Sequence, residues 1–178
     1  AIHEHADVRG ILVTGSTETG RHVRETGGRY LKKFSLEMGG KNAVIVLEDA
    51  DIDLAVEGII WSAFGTAGQR CTACSRVIVH KDVKEELEQK LLVEMEKLTI
   101  GIGLDESVKI GPVINSKALE KISKYVEIGK KEGAKLLAGG NVLTEGELAN
   151  GHYYEPTLFT DVKWDSRLEQ EEIFGPVV

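Results

Sequence analysis

Apolar and polar positions along this chain follow two rhythms that take turns. Ile11 to Thr14 is a short apolar run closing on Gly15-Ser16, and Thr17 to Glu25 follows with no proline, which predicts strand, tight turn and helix in that order. Gly27-Gly28 is expected to stop the helix, Lys33 to Leu36 alternates as a strand does, and Ala43 to Leu47 is a second continuous apolar run. Such runs suit strands covered on both faces, so a parallel sheet is expected. Asp51 is placed to cap a helix whose apolar positions Ile52, Val56, Ile59, Ile60 and Ala63 cover enough of its circumference to predict burial, and Gly65 ends it. After a small-residue loop around Gly68, Val77 to Val79 reads as a strand and Lys81 to Lys97 as an amphipathic helix. Val83, Leu87, Leu91, Met95 and Leu98 form its apolar stripe, with Glu86 and Lys90 paired at i, i+4 on the other side.

The second half repeats the alternation. Asn115 or Ser116 is expected to cap a helix through Leu119, Ile122 and Val126 that Gly133 ends, followed by a strand over 134–137 and a turn at Gly139-Gly140. Residues 141–151 read as a polar loop, Tyr153 to Phe159 as extended, and Ser166 as the cap of a short helix before Ile173-Phe174-Gly175-Pro176. Strands and helices that alternate without a linker make the fold class α/β.

Composition narrows the function. The 178 residues carry 22 basic and 29 acidic side chains, a formal net charge of −7, and no clustered Lys/Arg stripe, which argues against a nucleic-acid partner. No apolar run approaches the roughly 20 residues of a membrane span, and AIHEHADVRG lacks the layout of a signal peptide. With only two cysteines, three residues apart, a reducing cytoplasmic location is expected. The five histidines have no metal-binding spacing, so no metal is expected.

Four segments carry candidate chemistry. GSTETGRH, with Gly15 and Gly20 opening a helix after a strand, can present backbone N–H groups to a phosphate, but Arg21-His22 stand where a phosphate loop needs Lys and Ser or Thr. Cys71, in GQRCTACSR, lies on a small-residue loop before a strand, where a thiol is either structural or an activated nucleophile. Glu37, in SLEMGGKN, ends a strand beside two glycines, a place for a solvated carboxylate or a general base. Glu171-Glu172 precede IFGP.

In order and approximate spacing, VTGSTETG, LEMGGKN, GQRCTACSR and EEIFGPVV resemble the aldehyde dehydrogenase superfamily, and DADIDLAV, IGPVINSKAL, EGAKLLAGG and YYEPTLF resemble it between them. The resemblance spans nearly the whole chain. It implies part of a Rossmann-like dinucleotide-binding domain over 1–38, followed by part of an α/β catalytic domain over 39–178. It also implies an aldehyde substrate, NAD or NADP as cofactor, and Cys71 as the nucleophile that passes through a thioester. By the same resemblance Glu37 activates the hydrolytic water and Lys41 assists its proton path. Gly15, Ser16 and Gly20 line the cofactor side of the turn, Glu172 accepts hydrogen bonds from the nicotinamide ribose, and Phe174 packs near it. Thr72-Ala73-Cys74 is similar to members that oxidise semialdehydes carrying a carboxylate.

The chain is far shorter than the family pattern. A second oxyanion donor and the lysine that fixes the adenosine ribose are expected ahead of Ala1, and more of the catalytic domain beyond Val178. The implied working form is therefore part of a longer polypeptide, a homo-oligomer or a complex with a complementing chain; the alternative is a non-catalytic remnant or docking subunit.

Overall fold

The computed structural model describes residues 2–178; Ala1, the first residue of the expected amino-terminal domain and of the segment read for a signal peptide, lies outside the described residues. Two compact units divide the chain, Ala1–Gly40 and Lys41–Val178.

In the first unit, β1 (Gly10–Gly15) and β2 (Lys33–Met38) pair in parallel, with Thr14 beside Glu37 and Gly15 beside Met38. α1 (Thr17–Gly28) connects them. Its start is fixed by Ser16, whose Oγ accepts the Thr19 N–H at 3.1 Å, and Gly27 and Gly28, expected to stop the helix, form its last turn instead. Gly20 and Gly27 let the helix lie close on the strands: a Cβ on Gly20 would overlap the Met38 thioether, and one on Gly27 the Phe34 ring. The other strand face stays open, with Leu12 exposed. His3 lies in a 3-10 turn over Ile2–Glu4 and meets the His22 ring edge-on.

The second unit is built on another parallel pair, β3 (Asn42–Val46) and β4 (Cys74–Val79), which begins earlier than its apolar run suggests. Period 2 sorts the side chains: Val44, Val46, Val77 and Val79 pack on the core, while the cross-strand pair Ile45 and Ile78 faces outward. α2 (Ile52–Phe64), capped by Asp51, and α3 (Lys84–Glu96) cover the inner face. Ile52, Val56, Ile59 and Ala63 are buried, but Leu54 and Trp61 are exposed, so α2 is less enclosed than its composition predicts. The Glu86–Lys90 pair forms at 2.9 Å, and Lys90 also reaches Asp53 on α2 at 2.7 Å.

α4 (Ser116–Glu132) starts at the Asn115 cap and ends at Gly133, whose φ of 91° is the left-handed C-cap conformation. Beyond it the strand pairs are antiparallel, joined by one isolated parallel bridge between Thr157 and Val177. β5 (Lys135–Ala138) pairs antiparallel with β8 (Leu158–Thr160). The expected polar loop contains β6 (Val142–Leu143), antiparallel to β7 (Tyr153–Tyr154), and a 3-10 turn over Gly146–Asn150. α5 (Arg167–Gln170) is capped by Ser166. The last residues run beside β8: Thr157 N–H donates to Pro176 O at 2.8 Å and Phe159 N–H to Val178 O at 2.9 Å. The core of this unit gathers Phe64, Ile59, Leu87, Ile110, Ile122 and Val126.

Two glycines predict opposite responses to alanine. Gly58 lies inside α2 with open space at its Cβ position, so Gly58→Ala is expected to stabilise by about 0.5–1 kcal/mol. Gly68 has φ +67° and a Cβ there would overlap the Gly175 carbonyl, so Gly68→Ala is expected to destabilise by about 2 kcal/mol or more. Denaturant melts of both variants check the pair.

Candidate active site

Each unit brings part of the candidate set together. In the first, Gly15 and Ser16 lie exposed where β1 ends and α1 begins, and the parallel register puts Glu37, also exposed, on the neighbouring strand beside that turn. The N–H groups of Thr17 and Glu18, in the first turn of α1, have no carbonyl partner inside the helix. With the helix dipole they make this end favourable for a phosphate. Gly20 is buried and serves the packing of α1 on β2.

In the second unit, Cys71 sits on a turn held from all sides. The Ala73 N–H donates to the Arg70 carbonyl at 3.1 Å, which makes Cys71 the second residue of a four-residue turn. Arg70 extends back to α2, its guanidinium donating to the Trp61 carbonyl at 3.2 Å and lying 4.2 Å from the Trp61 ring centroid. There a cation meets both the negative end of a helix and an aromatic face. The Gln69 side chain donates to Pro112 O and accepts the Ile114 N–H at 2.8 Å, while the Cys74 N–H donates to Ser62 Oγ at 2.9 Å. The Asn42 amide donates to the carbonyls of Cys71, at 2.6 Å, and Ala73, at 3.2 Å.

The two thiols differ sharply. Cys71 is exposed, whereas Cys74 is buried at the start of β4, its S–H directed to the Arg76 carbonyl, and burial pushes its thiol pKa up. Lys41 lies beside Cys74 and beside the charges of Glu169, Arg76 and Glu172. Burial lowers its pKa to about 8, against the opposing pull of the Glu169 carboxylate. Arg76 and Glu169 form an ion pair between β4 and α5.

Glu172 and Phe174 lie on the segment after α5. The residue ahead of them, Glu171, accepts two bonds from Arg167 at 2.8 Å each and one from the Tyr125 hydroxyl at 2.5 Å, and these donors hold its carboxyl down at about 2. Ile173 is buried, and Phe174 is exposed in the left-handed region at φ 61°. Gly175 is pressed between Ile122 and Gly68, so the segment carrying Glu172 and Phe174 touches the loop carrying Cys71 through backbone at this point. Among the described residues no group of His, Cys, Asp or Glu is placed to hold a metal ion.

Asn42 and Arg70 lie inside the LEMGGKN and GQRCTACSR segments but are not among the residues expected to carry the chemistry. Asparagine opening a strand, where it is a poor former, is the signal that points to Asn42.

The arrangement suits covalent chemistry: an exposed thiol and its own backbone N–H are presented together on a fixed turn. Comparison with known proteins agrees. A sequence model described as the aldehyde dehydrogenase family matches residues 1–178. Aldehyde dehydrogenase citD of Monascus ruber is 45% identical over 178 residues, covering 100% of this chain and 36% of that protein. The alpha-ketoglutaric semialdehyde dehydrogenase of Bacillus subtilis is 43% identical, covering 98% of this chain and 36% of that protein. A crystal structure of betaine aldehyde dehydrogenase from Staphylococcus aureus in complex with NAD+ superposes with a TM-score of 0.96 at 37% identity, covering 99% of this chain and 35% of that one. The chain thus spans about a third of the length of these relatives. With a mixed parallel fold, a turn-mounted thiol and a match that runs its full length, the chain belongs to the aldehyde dehydrogenase family.

Proposed function

We propose that this chain is the central portion of an enzyme that oxidises an aldehyde to a carboxylic acid with NAD or NADP, and that Cys71 carries the covalent intermediate. The observation that carries the reading is the contrast between the two cysteines: one thiol exposed on a pinned turn, the other buried three residues later. In this reading residues 1–38 belong to the cofactor-binding domain and 39–178 to the catalytic domain, a boundary two residues ahead of the division between the compact units. The share of the relatives that it spans supports a longer working polypeptide, and we infer its working form to be a homo-oligomer or a complex with a complementing chain. Two free thiols support work in the cytoplasm. The Bacillus relative supports semialdehydes as the substrate class.

The residues of each unit, taken by itself, fit part of a dinucleotide. Gly15 and Ser16 leave the amino-terminal end of α1 open to a pyrophosphate, Glu172 offers a carboxylate to ribose hydroxyls, and the half-exposed ring of Phe174 offers an apolar face. The nicotinamide, when bound, supplies the hydride acceptor that turns the Cys71 adduct into a thioester. The remaining steps belong to side chains. Cys71, as thiolate, attacks the carbonyl carbon, and the oxygen gathers negative charge toward the Cys71 N–H. Glu37 takes a proton from the water that attacks the thioester. Lys41, partly neutral near pH 8, accepts a share of that proton.

Three outcomes are expected. Brief iodoacetamide treatment should label Cys71 well ahead of Cys74, as read by peptide mapping; preferential labelling of Cys74 would reverse the two roles. In the full-length protein, Glu37→Gln should give one burst of NADH and then stall, whereas Glu172→Gln should slow the burst itself and weaken cofactor binding. A wild-type burst in Glu172→Gln would show the two glutamates to be interchanged. Turnover limited by thioester hydrolysis should rise with pH through about 8, as Lys41 sheds its proton, and Lys41→Met should abolish that inflection in the kcat profile.

A further inference from the structure

The Asn42 side chain has no part in these steps, yet it makes the most directed contacts to the turn. Asn42 is exposed and opens β3, so neither burial nor strand propensity accounts for it. Its backbone pairs with Cys74, and the ladder then slips: Ala43 pairs with Arg76, which leaves Ser75 as the extra residue of a bulge. Bulges re-aim the groups beside them. Here Ser75 Oγ donates to the Asn42 carbonyl at 3.2 Å, fixing the residue, while the Asn42 Nδ2 spans the carbonyls of Cys71 and Ala73. A carboxamide has two N–H donors, so this grip uses both.

We infer that Asn42 is a positioning residue for the nucleophile, an inference that rests on the reading of Cys71 as the attacking thiol. Cys71 lies between two peptide groups. The one before it is fixed by the bond from the Ala73 N–H to the Arg70 carbonyl, and the one after it by the Asn42 amide. With both planes held, the backbone dihedrals of Cys71 are set, and with them the direction of its Cβ and of its own N–H. Attack on an aldehyde requires the sulfur at the carbonyl carbon while that N–H faces the carbonyl oxygen. An error of about 1 Å in such an alignment costs on the order of 10²-fold in rate. Asn42 touches neither sulfur nor substrate. Its contribution is the fixed relation between two groups on one residue.

The test compares two substitutions in the full-length protein. Asn42→Asp keeps the shape but sets a carboxylate against two carbonyl oxygens; Asn42→Ala removes the grip, leaving the Cys71 carbonyl exposed to water and the part-buried Ala73 carbonyl without this donor. Both should lower the pre-steady-state NADH burst roughly 10- to 100-fold. KM for the aldehyde, melting temperature and iodoacetamide labelling of Cys71 should stay close to wild type, because alkylation needs no oxyanion. A wild-type burst in Asn42→Asp would overturn the inference, since filling the space would then suffice. A burst that falls together with melting temperature and labelling would overturn it too, because the role would be structural. Cys71→Ala keeps the underlying reading separate: retained dehydrogenase activity there would overturn the proposed nucleophile, whatever Asn42 does.

Discussion

At one point in the larger unit two stretches of backbone meet where no side chain has room. Gly68, on the loop that leads to Cys71, lies against the carbonyl of Gly175, on the segment that carries Glu172 and Phe174. The two segments are more than a hundred residues apart in sequence. Contact through backbone is stiff, because there is no rotamer to absorb a displacement. Behind Gly175 stands Ile122, which is fully buried on α4, so the contact is braced by the core itself. The separation between the loop that carries Cys71 and the segment that carries Glu172 and Phe174 is thereby tied to the position of one helix.

Around this contact, polar groups determine orientation where apolar packing determines distance. Arg167 and Tyr125 hold Glu171, the Arg76–Glu169 pair ties β4 to α5, and the Thr157 and Phe159 N–H groups tie the chain beyond Gly175 to β8. Three independent attachments on one short segment explain how Phe174 persists at φ 61°, a conformation that costs a side-chain-bearing residue about 1–2 kcal/mol. Lys41 lies within the same charged group. It illustrates the balance of burial against charge: the neighbouring carboxylates favour the ammonium, yet desolvation prevails and brings its pKa to about 8.

Much of this was legible in the sequence wherever the cause is local. Asp51, Asn115 and Ser166 cap helices through bonds that span three residues, and Gly133 ends α4 in a conformation that glycine favours, so each announces itself by type and place. The apolar runs at Ile11 and Ala43 gave two parallel pairs. They also predicted cover on both faces, of which this chain supplies one; Leu12, Ile45 and Ile78 remain open. What stayed hidden was non-local. β6 and β7 are two residues each, too short for any periodicity, and the antiparallel β5–β8 pairing joins partners as distant as Lys135 and Thr160. The motif around Cys71 stood out through its resemblance to a family, but the groups that hold it, Asn42, Ser62 and Trp61, come from distant elements whose own patterns say nothing of a loop.

The burial of Cys74 has a consequence for the chain's fate under oxidants. A peroxide-sensing thiol is normally rescued by a neighbour that closes a disulfide before the sulfur is oxidised further. Cys74 is only three residues away, but its sulfur is enclosed, turned to the Arg76 carbonyl, and fixed by the first pairing of β4. To reach Cys71 it would have to undo that pairing and the bulge behind it. A sulfenic acid at Cys71 therefore finds no partner in Cys74 while this unit stays folded.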